Sequence, residues 1–150
     1  MSNDDVIDLL NDLIENCKDG EYGFNACAEH AKSPQLQTFF STRAQDCRRG
    51  AEELQAQVTA LGGKPETHGT AAGAVHRGWV ATRSALTGYD DHAMLEECER
   101  GEDVALKKYR AALARDLPLN IRSLVERQMQ GTQRNHDEVK VLRDRLPKNA

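Results

Sequence analysis

The sequence has little of what a β-sheet protein needs. Among its 150 residues, valine and isoleucine together number 11, and aromatic residues make up 5%. Strands favour β-branched and aromatic side chains, whereas the abundant alanine, leucine, arginine and glutamate favour helices. The composition therefore excludes a β-sandwich or β-barrel and argues against a parallel α/β sheet. The length predicts a single domain over residues 1–150.

Long apolar runs and a basic surplus are also missing. No apolar run approaches the roughly 20 residues that span a bilayer. Acidic residues outnumber basic ones by 24 to 20, whereas nucleic-acid binders usually present a basic face. The first five residues are polar and acidic, unlike a signal peptide. We therefore expect a cytoplasmic protein that binds neither membrane nor nucleic acid.

Paired cysteine motifs are absent as well. The chain has four cysteines and no C-x-x-C pair, which excludes a zinc ribbon and a thioredoxin-type motif. In a reducing compartment such cysteines are free thiols that pack as small apolar side chains.

What the sequence does have is helical periodicity. Apolar residues recur at alternating steps of three and four over about 3–32, 34–61, 90–116 and 117–146, a pattern typical of helices that bury one face. Asn3 or Asp4 is expected to cap the first helix, and Asp90-Asp91 the third. Ser33-Pro34 predicts a tight joint, with serine as the cap of the next helix and proline in its first turn, and Leu117-Pro118 predicts a second such joint.

The connection between the second and third helices is long. It contains a short helix predicted over about 70–86, with Trp79 as the residue that anchors it to the other helices. A connection of this length can run the height of a four-helix bundle. The sequence thus predicts an all-α, ferritin-like antiparallel four-helix bundle with a long crossover that carries a short fifth helix.

Polar residues interrupt the apolar faces at two places. Glu102 lies one turn from Cys98, and a buried carboxylate needs a cation, hydrogen-bond donors or a metal. An ion pair with an arginine and a metal site both stay open. In the last helix Gln133 and His136 share a face, at the spacing of the Glu-x-x-His motif of di-iron bundles. Glutamine, however, is a poor metal ligand.

Small residues recur at three-residue spacing on the first two helices: Cys17 and Gly20, then Cys47 and Gly50. They allow close helix packing or leave a pocket beside Glu102. An alternative metal site would bring together Cys17, Cys47 and Cys98. Thiolates combined with a histidine favour zinc over iron.

Several stretches carry a family resemblance, and together they reach over most of the chain. They are residues 10–20, Leu61-Gly62-Gly63-Lys64-Pro65, His76-Arg77-Gly78-Trp79, Glu99-Arg100-Gly101-Glu102-Asp103 and His136-Asp137-Glu138. With them the chain resembles a bacterial family of ferritin-like four-helix-bundle proteins, a domain of unknown function. The resemblance implies the ferritin-like fold and no particular activity.

The wider ferritin-like superfamily implies a test. Its iron-binding members place Glu on the first helix, Glu-x-x-His on the second, Glu on the third and Glu-x-x-His on the fourth. The matching positions here are Cys17, Asp46 and Arg49, Glu102, and Gln133 and His136. Only Glu102 and His136 are retained, so the resemblance implies an incomplete di-iron centre.

In place of that centre we expect a structural polar core. Glu102 would pair with Arg43 or Arg49 and lie near His136, with Asp46 and Gln133 in the same network.

Two functions follow. The first is a non-catalytic bundle protein without a cofactor, stress-related or partner-binding, and a homo-oligomer such as a dimer. The alternative is a metal-binding protein (iron, manganese or zinc) or an oxidoreductase that uses Glu102, His136 and the buried cysteines. Whether the protein is an enzyme stays open, with the non-catalytic interpretation favoured.

Overall fold

The computed structural model describes residues 1–70 and 90–146. Four helices account for most of them: α1 (Asn3–His30), α2 (Pro34–Ala60), α3 (Asp91–Leu113) and α4 (Leu119–Arg145). These bounds lie within about three residues of those predicted from the apolar periodicity. Trp79, and nearly all of the short helix predicted around it, lie outside the described residues.

The helix starts follow local capping chemistry. Ser33 and Asp90 cap α2 and α3 through their side chains, as the sequence predicted. At α1 the prediction of Asn3 or Asp4 was wrong by one or two residues, because Ser2 is the cap. Its hydroxyl accepts a hydrogen bond from the Asp5 amide at 3.1 Å, while the Asp5 carboxylate accepts one from the Ser2 amide at 3.3 Å. This reciprocal pair is a capping box.

The apolar core is divided into two clusters, one at each end of the bundle. One cluster joins the first half of α1 to the second half of α2, the second half of α3 and the first half of α4. The other joins the remaining halves, around Phe40, Met94 and Val139. Successive helices therefore run antiparallel within each hairpin. Because α2 ends at one end of the bundle and α3 begins at the other, the connectivity is that of the predicted crossover bundle.

The first residues of the crossover follow α1. The Asn11 side chain donates to the Lys64 carbonyl at 3.2 Å and accepts from the Glu66 amide at 2.9 Å. Further along α1, Asp19 accepts from the amide and the hydroxyl of Thr70 at 2.9 and 2.6 Å. Asn11 and Asp19 are about 12 Å apart along a helix. The segment from Lys64 to Thr70 therefore runs alongside α1, as the crossover prediction requires.

Asp91 ties the start of the second hairpin to the joint of the first. Its carboxylate is buried and accepts hydrogen bonds from the amides of Lys32 at 2.8 Å and Ser33 at 3.0 Å. Since both amides belong to the α1–α2 joint, Asp91 fixes where α3 begins relative to that joint. The start of α3 is therefore held to the first hairpin at this end by polar contacts as well as by the apolar core.

Candidate functional site

A cavity of about 890 Å³ lies between the two helix hairpins, at mid-height. Five glycines from the interiors of all four helices line it: Gly20, Gly23, Gly50, Gly101 and Gly131. At Gly23, a Cβ atom would lie in open space, with no side chain or other helix within 4 Å. Glycine inside a helix costs about 1 kcal/mol relative to alanine. The chain thus keeps open space in the middle of the bundle at some cost in stability.

A buried ion pair lies beside this cavity. The Arg43 side chain of α2 contacts both carboxylate oxygens of Glu102 on α3, through Nε and Nη2, each at 3.4 Å. Arg43 also donates to the Thr132 hydroxyl of α4 at 3.2 Å, and the Asn135 amide donates to Glu102. Only 4% of the Glu102 side chain is exposed. Three of the four helices therefore meet at this carboxylate.

Burial and the attraction between the two charges shift the pKa values of the pair in opposite directions. Burial raises the pKa of Glu102, while Arg43 and Asn135 lower it, and the net result lies above the ordinary value. For Arg43, burial lowers the pKa, but the interactions with Cys47 and Glu102 outweigh it and the guanidinium stays protonated. The attraction thus offsets only part of the desolvation penalty of the carboxylate, as is usual for buried ion pairs.

A second polar chain crosses the bundle next to the pair. The Cys17 thiol lies 3.6 Å from the Tyr109 hydroxyl, which donates to the Gln128 side chain at 3.1 Å. Gln128 in turn donates to the carbonyl of Gly50 at 3.1 Å. Burial raises the pKa of both Cys17 and Tyr109. Both groups are therefore neutral at physiological pH, and this chain connects the helices without providing a reactive thiolate.

The cysteines do not form the predicted alternative metal site. Cys98 lies beside Cys27 instead, with the sulfur atoms 3.7 Å apart. Burial raises the pKa of the Cys47 thiol to about 12. Within residues 1–70 and 90–146, the group that could hold a metal is Glu99, Asp103 and His136, with no cysteine. The described residues do not bring Cys17, Cys47 and Cys98 together as one metal-ligating group.

Three residues assigned to the polar core lie elsewhere. Arg49 has 69% of its side chain exposed and pairs with Asp46, which is 39% exposed. Gln133 is exposed and donates to Asp137 at 2.9 Å. The physical reason is helix rotation, since Gln133 follows the buried Thr132 by one residue, or about 100° around the helix. The core positions that matter are Arg43 and Thr132, not Arg49 and Gln133.

His136 acts on Glu102 electrostatically, but its close polar contacts are with other residues. Its Nε2 lies 2.7 Å from Asp103, and its Nδ1 lies 3.3 Å from Asp137. In the described part of the chain no hydrogen bond joins His136 to Glu102, and the two do not belong to one metal-ligating group. The predicted metal pair of Glu102 and His136 is therefore not assembled inside the bundle.

The residues present do not fit a di-iron centre. Such a centre needs several carboxylates and imidazoles that converge on the bundle axis. Here Glu102 is the buried carboxylate of this layer, and a guanidinium lies against it. A fixed positive charge at this distance repels a metal cation and takes up the oxygens that would bind it.

The sequence of this chain matches a known family over most of the bundle. The family described as Domain of unknown function (DUF2383) matches residues 5–115, which span α1, α2 and α3. The chain belongs to the DUF2383 family. No curated protein matches it.

The fold of this DUF2383 protein has a solved counterpart. A point mutant of Dps1 from Mycobacterium smegmatis superposes with a TM-score of 0.74 at 16% sequence identity, over 94% of this chain and 98% of that one. At this identity the likeness concerns the fold, which is ferritin-like as the sequence predicted. In the described part of the DUF2383 chain, no helix is long and apolar enough to span a membrane.

Sequence reasoning missed several residues of the site. Asn135 and Gln128 were not recognised as partners of buried groups, although Gln128 interrupts the apolar face of the last helix, which was the signal that could have found it. Glu99 and Asp103 were quoted only as part of a resembling stretch. Their four-residue spacing on one helix face was the signal that could have found them.

Proposed function

We propose that this DUF2383 protein binds a small organic molecule in the cavity between its hairpins and performs no di-iron chemistry there. The cavity beside the Arg43–Glu102 pair carries this proposal. Its volume of about 890 Å³ lies within the range of small-molecule sites, roughly 300 to 1,000 Å³. Such sites combine an apolar lining with a few convergent polar groups.

The lining indicates the chemistry of the ligand. Apolar or weakly polar side chains supply much of the surface, among them Phe24, Cys27 and Ala105. The lining also contains charged side chains nearer the surface, such as Arg49 and Arg127. Its buried charged pair, Arg43 and Glu102, is already neutralised within itself. A charged ligand would have to separate them and leave one buried charge without a partner, which is costly. We therefore expect a ligand with an apolar body and a neutral hydrogen-bonding group.

Binding of the neutral dye Nile red tests this proposal. Wild-type protein should enhance the dye fluorescence saturably, with one site per chain. Gly23→Leu fills space that lines the cavity and should weaken binding by at least about tenfold, since a leucine side chain excludes an equal volume of ligand. The matched control is Ala111→Leu, which adds similar apolar volume at an exposed position of α3 outside the cavity.

Two outcomes would contradict the proposal. One is a wild-type protein that does not bind the dye. The other is equal binding by wild type and Gly23→Leu, which would place the dye elsewhere on the surface.

The alternative of iron chemistry at Glu102 has its own test. Untagged wild-type protein and Glu102→Gln are grown in iron-replete medium and compared by elemental analysis. We expect the same iron content in both. Near-stoichiometric iron that disappears in Glu102→Gln would overturn the ion-pair interpretation.

Assembly into a dimer, and a cytoplasmic location, stay proposals. An exposed apolar side chain supports the dimer, since Leu119 is 79% exposed. The four free thiols fit a reducing compartment. Sedimentation velocity should show a dimer that Leu119→Lys weakens, and a wild-type monomer at all concentrations tested would contradict assembly.

A further inference from the structure

A second candidate site lies between α3 and α4, apart from the cavity. Glu99 and Asp103 are one turn apart on α3, and His136 faces them from α4. One ligand atom from each residue lies within 4.8 Å of the others. None of the three lines the cavity. The group therefore stands independently of the ligand-binding proposal.

The contacts of His136 leave one of its ring nitrogens, Nε2, without a hydrogen-bond partner at this site. Nδ1 lies 3.3 Å from the Asp137 carboxylate, which can only accept, so Nδ1 carries a proton in that contact. Nε2 is buried and has no hydrogen-bond partner, although the Asp103 carboxylate lies 2.7 Å away. That short contact lacks hydrogen-bond geometry. Nε2 and the neighbouring carboxylate oxygens are therefore donor atoms placed close together without a hydrogen bond between them, an arrangement that a cation would bridge.

We propose that Glu99, Asp103 and His136 bind a divalent first-row transition metal ion at the α3–α4 surface. The donors would be one imidazole nitrogen and two carboxylate oxygens, which suit zinc or manganese better than magnesium or calcium. Asp137 would orient the imidazole through Nδ1, as carboxylates commonly do for metal-bound histidines. Because 61% of the Asp103 side chain is exposed, water can complete the coordination shell.

Arg143 is the feature of the site that opposes a metal. Its guanidinium pairs with Glu99 and also contacts Asp144 at 2.9 Å. It competes for the Glu99 carboxylate and adds a positive charge near the ion. Its removal should therefore strengthen metal binding, whereas a network that merely pairs charges would gain no metal affinity from the same change.

Titration with zinc chloride, followed by isothermal calorimetry, tests the proposal. Wild-type protein should bind one zinc ion per chain. His136→Gln and Asp103→Asn should each weaken binding by at least about tenfold, and Arg143→Gln should strengthen it. Magnesium chloride at the same concentrations should produce no binding heat, since hard cations prefer all-oxygen ligands.

A matched control is available in the same hairpin. His92 lies 3.0 Å from Glu96 on α3 and belongs to no metal-ligating group in the described part of the chain. His92→Gln should therefore leave zinc binding unchanged. Circular dichroism of each variant verifies that the helices are intact.

Absence of zinc binding by the wild type would overturn the proposal, as would binding that His136→Gln leaves unchanged. Nile red binding should be the same with and without zinc. Failure of the metal site is thereby distinguished from failure of the cavity proposal.

Discussion

Arg43 of α2 and Glu102 of α3 form a buried ion pair that joins one helix hairpin to the other at mid-height. The pair lies between the two apolar clusters, at the level where the helices carry glycines and leave a cavity. In a ferritin-like bundle this level is the natural place for carboxylates to hold metal ions. Here the positive charge is a guanidinium, so the same fold supports a different kind of site.

Replacement of both members of the pair should cost less than loss of one. Arg43→Met leaves Glu102 as a buried unpaired carboxylate and should lower the free energy of unfolding by about 3 kcal/mol. The double variant Arg43→Met, Glu102→Leu should recover most of that loss, because neither charge then remains buried. Urea unfolding of the single and double variants measures the coupling, and additive losses would contradict a direct pair.

Gly20 and Gly23 should respond in opposite directions to the same substitution. A Cβ at Gly20 would lie 2.8 Å from the Cys47 sulfur, whereas one at Gly23 would meet open space. We expect Gly20→Ala to destabilise the protein by about 1 to 2 kcal/mol through overpacking, and Gly23→Ala to stabilise it by about 0.5 to 1 kcal/mol.

Thermal melts of the Gly20→Ala and Cys47→Ala single and double variants identify the cause. Cys47→Ala removes the sulfur and should relieve most of the Gly20→Ala penalty. If the stability loss of the double variant equals the sum of the two single losses, the contact with the Cys47 sulfur is not what excludes a side chain at Gly20.

The sequence was sufficient for the fold because the fold depends on features that are local along the chain. The apolar periodicity, the proline joint after Ser33 and the cap at Asp90 each involve a few neighbouring residues. The candidate site depends instead on how far each helix is rotated about its axis. A rotation of about 100° separates Gln133 from Thr132. Thr132 lies seven residues from the buried Val125 and Val139 and so shares their face, whereas Gln133 was assigned from the Glu-x-x-His spacing alone.

At Glu102 the sequence could state a chemical requirement but not which residue meets it. A carboxylate on an apolar helix face needs a partner, and Glu102 has one. Choosing Arg43 over Arg49 required the position of α2 relative to α3, which only the packed bundle provides. The contact between His136 and Asp103 likewise depends on how α4 packs against α3, whereas Asp137 is the next residue in the chain.

Stability should fall at alkaline pH. Burial raises the pKa of Cys17, and that of Cys47 to about 12, above the ordinary thiol value of roughly 8.5 to 9. Below that ordinary value both states hold the protons and the contribution is complete. As the pH rises towards 12, the unfolded chain releases protons that the folded chain retains, so stability falls by up to about 1.4 kcal/mol per pH unit for each thiol.

Urea unfolding between about pH 8 and pH 11 measures this slope. Cys47→Ala removes one titrating thiol and should make the slope shallower. A slope that is unchanged in Cys47→Ala would show that other groups cause the alkaline loss.

Asp91 should contribute more to stability than an exposed aspartate. Asp91→Ala leaves the amides of Lys32 and Ser33 without their acceptor, which should cost about 1 to 3 kcal/mol. Asp116→Ala, at an exposed position beyond α3, should change stability by less than about 0.5 kcal/mol. Thermal melts compare the two, and equal effects would contradict the anchoring role of Asp91.

The most direct test of the account is the thermal melting of wild type and Glu102→Gln, each with and without a strong chelator. Glu102→Gln keeps the shape of the side chain, removes its charge and leaves Arg43 without its partner. We predict that the variant melts lower than wild type in both conditions, and that the chelator shifts both proteins equally. A wild-type melting temperature that falls sharply with chelator to that of an unresponsive Glu102→Gln would show that Glu102 binds a metal, and would contradict the account.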